Sequence, residues 1–190
     1  MDSNYHFEEE IQQIDFTINP FERGDYESCK FENCNFNEID LSESKFIDCE
    51  FIDCNLSLVK LDETAFQQVM FKNCKMIGFN LETCNQFALN VTFENCVLND
   101  SSFYQLPLKR TKFVQCSLQN VEFSYADLSN SFFDECNFSN AIFDQTDLKQ
   151  ANLKTSFHFK INPNENQIKG ATFSKENLEG LVSSFGIKVL

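Results

Sequence analysis

"FENCNF" at residues 31–36 is followed by "FIDCNL" (51–56), "FKNCKM" (71–76), "FENCVL" (93–98), "FVQCSL" (113–118) and "FDECNF" (133–138). The copies start 20, 20, 22, 20 and 20 residues apart, and repetition at a fixed period decides the architecture before any local propensity does. Inside that period runs a shorter one. Stepping by five from Phe21 lands on Tyr26, Phe31, Phe36, Leu41, Phe46, Phe51, Leu56, Leu61, Phe66, Phe71, Met76 and Leu81. The register resumes at Phe93 and continues through Leu98, Phe103, Leu108, Phe113, Leu118, Phe123, Leu128, Phe133, Phe138, Phe143 and Leu148 to Leu153. We call these positions i.

Two residues earlier, at i−2, stand mostly small or medium side chains such as Cys34, Ser44, Val59, Thr64, Val121 and Ala126. Between residues 22 and 154 no Asp, Glu, Lys or Arg occupies i or i−2. A helix of 3.6 residues per turn would smear a five-residue repeat around its surface, and a flat strand needs a period of two. The backbone must therefore turn a corner about every five residues, with i and i−2 inward. Four sides close a square coil of 20 residues, and coils stack at roughly 4.8 Å, the strand-pairing distance. The 22-residue step then means two extra residues bulging out between Leu81 and Phe93, within 82–92 and near "NQFALN".

All nine cysteines sit at i−2, six of them (Cys34, Cys54, Cys74, Cys96, Cys116, Cys136) on one side of successive coils. A line of parallel thiols does not converge on a tetrahedron as zinc requires, and neighbours near 4.8 Å between Cβ atoms are too far apart for an unstrained disulfide. The reading is a thiol used as a small apolar filler, with no metal and no cofactor. The competing reading, a metal or redox ladder, requires bound zinc or fast labelling of the native protein. The cysteine spacings are not those of a secreted disulfide scaffold, and "MDSNYHFEEEIQQ" has no apolar core of a signal peptide, so a reducing, cytoplasmic location is expected. No apolar run approaches the roughly 18 residues of a membrane span.

"ADLSN" (126–130), "CNFSN" (136–140), "TDLKQ" (146–150) and "ANLKT" (151–155) resemble the A-(D/N)-L-x-x unit of pentapeptide-repeat proteins. The resemblance covers about residues 16–158 and implies an all-β solenoid, a right-handed quadrilateral β-helix. About seven coils at 4.8 Å make a rod of roughly 34 Å. Residues 1–15 are assigned to an N-terminal cap and 159–190 to a C-terminal one. In the latter, "SKENLEGLVSSFG" reads as a helix over about 175–185 with Ser174 as N-cap and Gly186 as its stop, followed by "IKVL" as a terminal strand. This tail resembles the cap of the quinolone-resistance (Qnr) and mycobacterial fluoroquinolone-resistance branches. That resemblance implies a head-to-head homodimer through Leu178, Leu181, Val182, Phe185, Ile187 and Val189.

The same resemblance implies a protein partner, DNA gyrase or topoisomerase IV, met by mimicry of duplex DNA. The chain carries 29 acidic against 15 basic residues for a net charge of −14, which argues against direct binding of nucleic acid and for a basic partner. The charge is concentrated: residues 22–63 hold 12 acidic and 4 basic residues. That is −8 over about 10 Å of rod, where a duplex would carry about −6. The acidic set is Glu22, Asp25, Glu27, Glu32, Glu38, Asp40, Glu43, Asp48, Glu50, Asp53, Asp62 and Glu63, all at outward positions. Where Qnr proteins project a long loop, this chain inserts two residues. The alternative is a scaffold that a protein partner reads by shape, with charge incidental. No enzyme is expected: the two histidines, His6 and His158, lie in different end regions, no Gly-rich phosphate loop exists, and a rod with a filled interior offers no cleft for acid–base chemistry.

Overall fold

The computed structural model describes residues 4–187 as a β-solenoid of about eight turns with one short helix at its C-terminal end. Two parallel sheets run along it. On the first side lie β1 (Asn4–Phe7), β3 (Gly24–Glu27), β5 (Lys45–Ile47) and β7 (Ala65–Gln67). On the second lie nine strands: β2 (Glu10–Gln12), β4 (Lys30–Glu32), β6 (Glu50–Ile52), β8 (Val69–Lys72), β9 (Val91–Glu94), β10 (Lys112–Val114), β11 (Phe132–Asp134), β12 (Asn152–Leu153) and β13 (Thr172–Phe173). The third and fourth sides are held by single parallel bridges, such as Asn35 to Asn55 and Ser102 to Glu122. Register is in steps of 20 except across the insertion, where Val69–Val91, Lys75–Val97 and Asn80–Ser102 are each 22 apart.

The coil count exceeds the seven read from the sequence because the stack starts earlier. β1 pairs with β3 from Asn4 to Phe7, and β2 pairs with β4 from Glu10 to Gln12. Residues 4–15 are thus the first coil itself, and His6 replaces the large apolar residue of the pattern. Its ring stacks on Tyr26 at 4.4 Å and 6°, starting a column that continues through Phe46 and Phe66. The second side carries Phe31, Phe51, Phe71, Phe93, Phe113 and Phe133 stacked at 4.7–5.4 Å. Interior rings such as these are fully buried, and each contributes about 1.5–3 kcal/mol of transfer free energy.

Most corners are made by the residue at i+2 in a left-handed backbone: Asn33 (φ 54°), Glu38 (61°), Glu43 (65°), Asp48 (52°) and Asp53 (54°) are five in succession. Asn, Asp, Gln and Glu fill most of these corners; Asn and Asp tolerate this conformation best among residues with a Cβ. The Asp or Asn at i−1 has its own use. Asn35, Asp40, Asn55, Asp127, Asn137 and Asp147 each accept a hydrogen bond from the backbone N–H two residues on, a turn that the short side chain closes locally.

The i−2 side chains do more than fill space. Thr64, Thr146, Ser131 and Ser156 donate to the carbonyls of Leu41, Phe123, Leu108 and Phe133 in the coil before, at 2.8–3.1 Å. Asn166 bonds Phe143 O in the same way at 3.0 Å. Ser44 departs from this pattern, its buried hydroxyl without a partner.

The two extra residues fall among 86–89, between the Ala65–Asn85 bridge and β9. They end the first sheet at β7. Phe87 stands 80% exposed there, and Phe79 packs inside, over Phe66 and edge-on to Phe71. Pro107 follows on the same side; a residue that cannot donate is harmless at a rung whose lower neighbour has left the ladder.

At the far end, His158 sits at a left-handed corner (φ 61°) and is exposed, while Phe159 and Ile161 enter the core in its place. The helix α1 spans only Glu179–Val182, followed by a 3-10 turn at Ser183–Phe185. Leu178 holds its N-cap position and makes no side-chain cap bond. Ser174, expected there, instead accepts from Asn177, whose amide also bonds Ser156 O and closes the last coil. Gly180 lies flush on Phe159: a Cβ there would collide with the Phe159 carbonyl oxygen and ring. Gly180→Ala is therefore expected to lift the helix off the coil end and lower stability by about 1–3 kcal/mol, measured by thermal unfolding. Unchanged stability would mean the cap is not seated on Phe159.

Candidate functional site: the acidic coils and the C-terminal cap

A five-residue step moves round the rod by one side, so neighbours in the sequence do not become neighbours on the surface. Glu38, Glu43, Asp48 and Asp53 occupy the four successive corners of one coil. They ring the rod at one level, and a single flat partner reaches two of them at most.

The residues stacked on the fourth side come from different coils. Glu22, Ser42, Asp62 and Glu82 follow one another at i+1, beside the corner column Arg23, Glu43 and Glu63 and the bridged pair Asp40 and Lys60. Glu22, Glu43, Asp62, Glu63 and Glu82 are exposed. Glu82 was not in the acidic set read from sequence, although the 20-residue column that holds Asp62 leads directly to it. With Asp40 this side carries six carboxylates against Arg23 and Lys60, a net −4 over about 14 Å. One strand of duplex DNA carries about −4 over the same length.

Ion pairs occupy part of the acidic set. Arg23 holds Asp40, Lys30 holds Glu32 at 2.8 Å, and Lys45 holds Asp25 at 3.2 Å. The Ser42 hydroxyl and amide, with Arg23 beside them, keep the Asp40 carboxyl below the usual range. Glu27 accepts from Tyr5 at 2.7 Å and Asp48 from Gln68 at 2.7 Å. Glu50 and Asp53 lie on the second side and its corner, with Glu50 half-buried and Asp53 exposed.

In the cap, Leu181 packs on the core and Val182 is half-buried, whereas Leu178 (43%), Phe185 (53%) and Ile187 (56%) are exposed. Val189 and the rest of the expected terminal strand, 188–190, lie outside the described residues.

All nine cysteines are buried and free. Each ladder thiol donates to the carbonyls around it, as Cys54 does to Phe31 O at 3.4 Å and Cys74 to Phe51 O at 3.3 Å. Burial pushes the Cys49 and Cys84 thiols up to about 12. Hydrogen bonding to Cys54 and Cys96, with burial added, pushes Cys74 up as well. Among the described residues no three His, Cys, Asp or Glu side chains are placed to hold a metal ion, and no helix is long and apolar enough to cross a membrane. Because a maleimide must reach the sulfur and all three side chains are buried, Cys54, Cys74 and Cys116 are expected to label slowly until denaturant is added. Rapid labelling of the folded protein would contradict the packing role.

A family model described as pentapeptide repeat region matches residues 25–87 and 88–181. A structure of a trypsin-treated variant of QnrB1, a plasmid-mediated fluoroquinolone resistance protein, superposes with a TM-score of 0.61 at 15% identity, covering 100% of this chain and 92% of that one. HetL, a pentapeptide repeat protein involved in heterocyst differentiation regulation from the cyanobacterium Nostoc sp. strain PCC 7120, gives 0.58 at 15% identity over 95% and 91%. No curated protein matches the sequence at a significant level.

Proposed function

Because the chain belongs to the pentapeptide-repeat family, we propose that it is a non-catalytic interaction protein whose acidic N-terminal coils occupy the DNA-binding surface of a type II topoisomerase, DNA gyrase in particular. The observation that carries this reading is the fourth side: Glu22, Glu43, Asp62, Glu63 and Glu82 are exposed and stacked at the charge density of one DNA strand. A basic groove built for phosphates accepts such a row and releases its counterions, so binding weakens steeply with salt. The structural likeness to QnrB1 is consistent with this reading. The exposed apolar residues Leu178, Phe185 and Ile187 supply a homodimer contact, which places the two acidic ends at opposite tips.

A gyrase supercoiling titration at two salt concentrations tests the proposal. Inhibition is expected at low salt and weaker inhibition at high salt. Replacing Glu43, Asp62 and Glu63 by lysine is expected to abolish it, while Glu32→Lys with Glu50→Lys on the second side leaves most of it. No inhibition up to tens of micromolar, or equal loss from both sets, would overturn the assignment to the fourth side. Inhibition that survives both sets of reversals would instead favour the alternative, a partner that reads the rod by shape.

A further inference from the structure

We propose that the groove where the first and second sides meet, above the 86–89 insertion, binds a phosphate-bearing small molecule. The groove measures about 770 Å³ and is lined by Leu89–Thr92, Lys109–Lys112, Ser129 and Asn130. It contains no carboxylate, in a chain with 29 acidic residues. Three of its walls are cations drawn from four consecutive residues, Lys109, Arg110 and Lys112. Lys109 is paired with Asp127 at 3.2 Å. Among the described residues, Arg110 and Lys112 have no carboxylate at ion-pair distance.

Arg110 and Lys112 are both exposed at the groove. Thr111 occupies an i−2 position, but its hydroxyl makes none of the interior bonds that Thr64 and Thr146 make. The coil beneath it is the one displaced by the insertion. The groove thus joins two unpaired cations to the hydroxyls of Thr92 and Thr111 and the amides of Asn90 and Asn130. A guanidinium fork with neutral donors beside it suits the several oxygens of a phosphate. The volume is in the range that holds an organic ligand and exceeds one inorganic ion.

Isothermal titration calorimetry with sodium pyrophosphate and with ADP tests this on the whole chain. The variant is Arg110→Asn with Lys112→Thr. Asn already stands at the corners of residues 33, 73, 95 and 120, and Thr92 is Lys112's own partner in the sheet, so the fold is kept; equal thermal unfolding checks that. Saturable 1:1 binding by the natural chain, weakened about tenfold or more in the variant, is the expected result. Equal affinity for pyrophosphate and ADP makes the phosphate chain the recognised part, and tighter ADP adds the nucleoside. Absence of saturable binding for both, or binding unchanged in the variant, overturns the proposal. So does a duplex oligonucleotide that binds through Arg110 and Lys112 when pyrophosphate and ADP do not.

Discussion

Replacing Phe71 by alanine is expected to lower the unfolding free energy by about 3–5 kcal/mol. The ring is fully buried. It stacks on Phe51 at 5.1 Å and on Phe93 at 5.4 Å, and it meets Phe66 and Phe79 edge-on at 5.8 and 5.7 Å. It therefore links the coils on either side of the insertion, at the level where the first sheet has already ended. A stack in which each coil touches only its neighbours transmits stability through nearest-neighbour contacts. A cavity there weakens the joint between two halves as well as one rung. Urea unfolding followed by far-UV circular dichroism is expected to show a lower midpoint and a broadened transition. Phe71→Leu, which restores most of the volume and copies the interior leucines at 98 and 118, is expected to recover more than half of the loss. A change below about 1 kcal/mol for alanine would mean that the column is loosely packed.

The second large effect is expected at Cys116. Its Sγ lies 3.6 Å from Phe93 O and 3.4 Å from Val114 O in a site 2% exposed. Cys116→Ser keeps a donor aimed at the same carbonyls, as Ser131 and Ser156 do elsewhere, and is expected to cost no more than about 1.5 kcal/mol. Cys116→Asp is expected to cost more than about 4 kcal/mol at neutral pH, because it places a carboxylate without a countercharge in the core. Burial raises the carboxyl's pKa in the folded state, so the native form binds the proton more tightly than the unfolded one. The penalty must then shrink as pH falls and grow as it rises. Denaturation at pH 5 and pH 8 checks both the size and the sign. Equal stability of the serine and aspartate variants would mean that the ladder is wet.

The positions that hold the rod together could be read from the chain because they carry one decision each, large at i and small at i−2. Phe31, Cys34 and Phe36 announce themselves by side-chain size alone. The corners could not be read this way. Glu38, Leu58, Arg110 and Tyr125 share one left-handed backbone and nothing in their chemistry, since the geometry is imposed by pairing with the coils above and below. The first coil was missed for a related reason: His6 is polar by composition, yet its flat ring completes an aromatic column. At the cap, His158 has the right number in the register, but Phe159 has the better transfer free energy and enters instead. The candidate acidic surface was only half legible. Composition located the charge in the N-terminal coils. Recognising that Glu38, Glu43, Asp48 and Asp53 face four directions while Glu22, Asp62 and Glu82 face one requires counting in twenties.

The corner conformation also has an evolutionary consequence. Residues as unlike as Glu43, Leu58, Arg110 and Tyr125 meet the same backbone demand. The corner and the i+1 residue before it are thus largely released from the task of folding. Selection can rewrite these exterior sites one letter at a time, at a pitch set by the backbone, without passing through a broken intermediate. Two such rods can diverge until their surfaces share nothing while their interiors remain interchangeable. Kinship in this architecture is therefore recorded on the inside, and occupation on the outside.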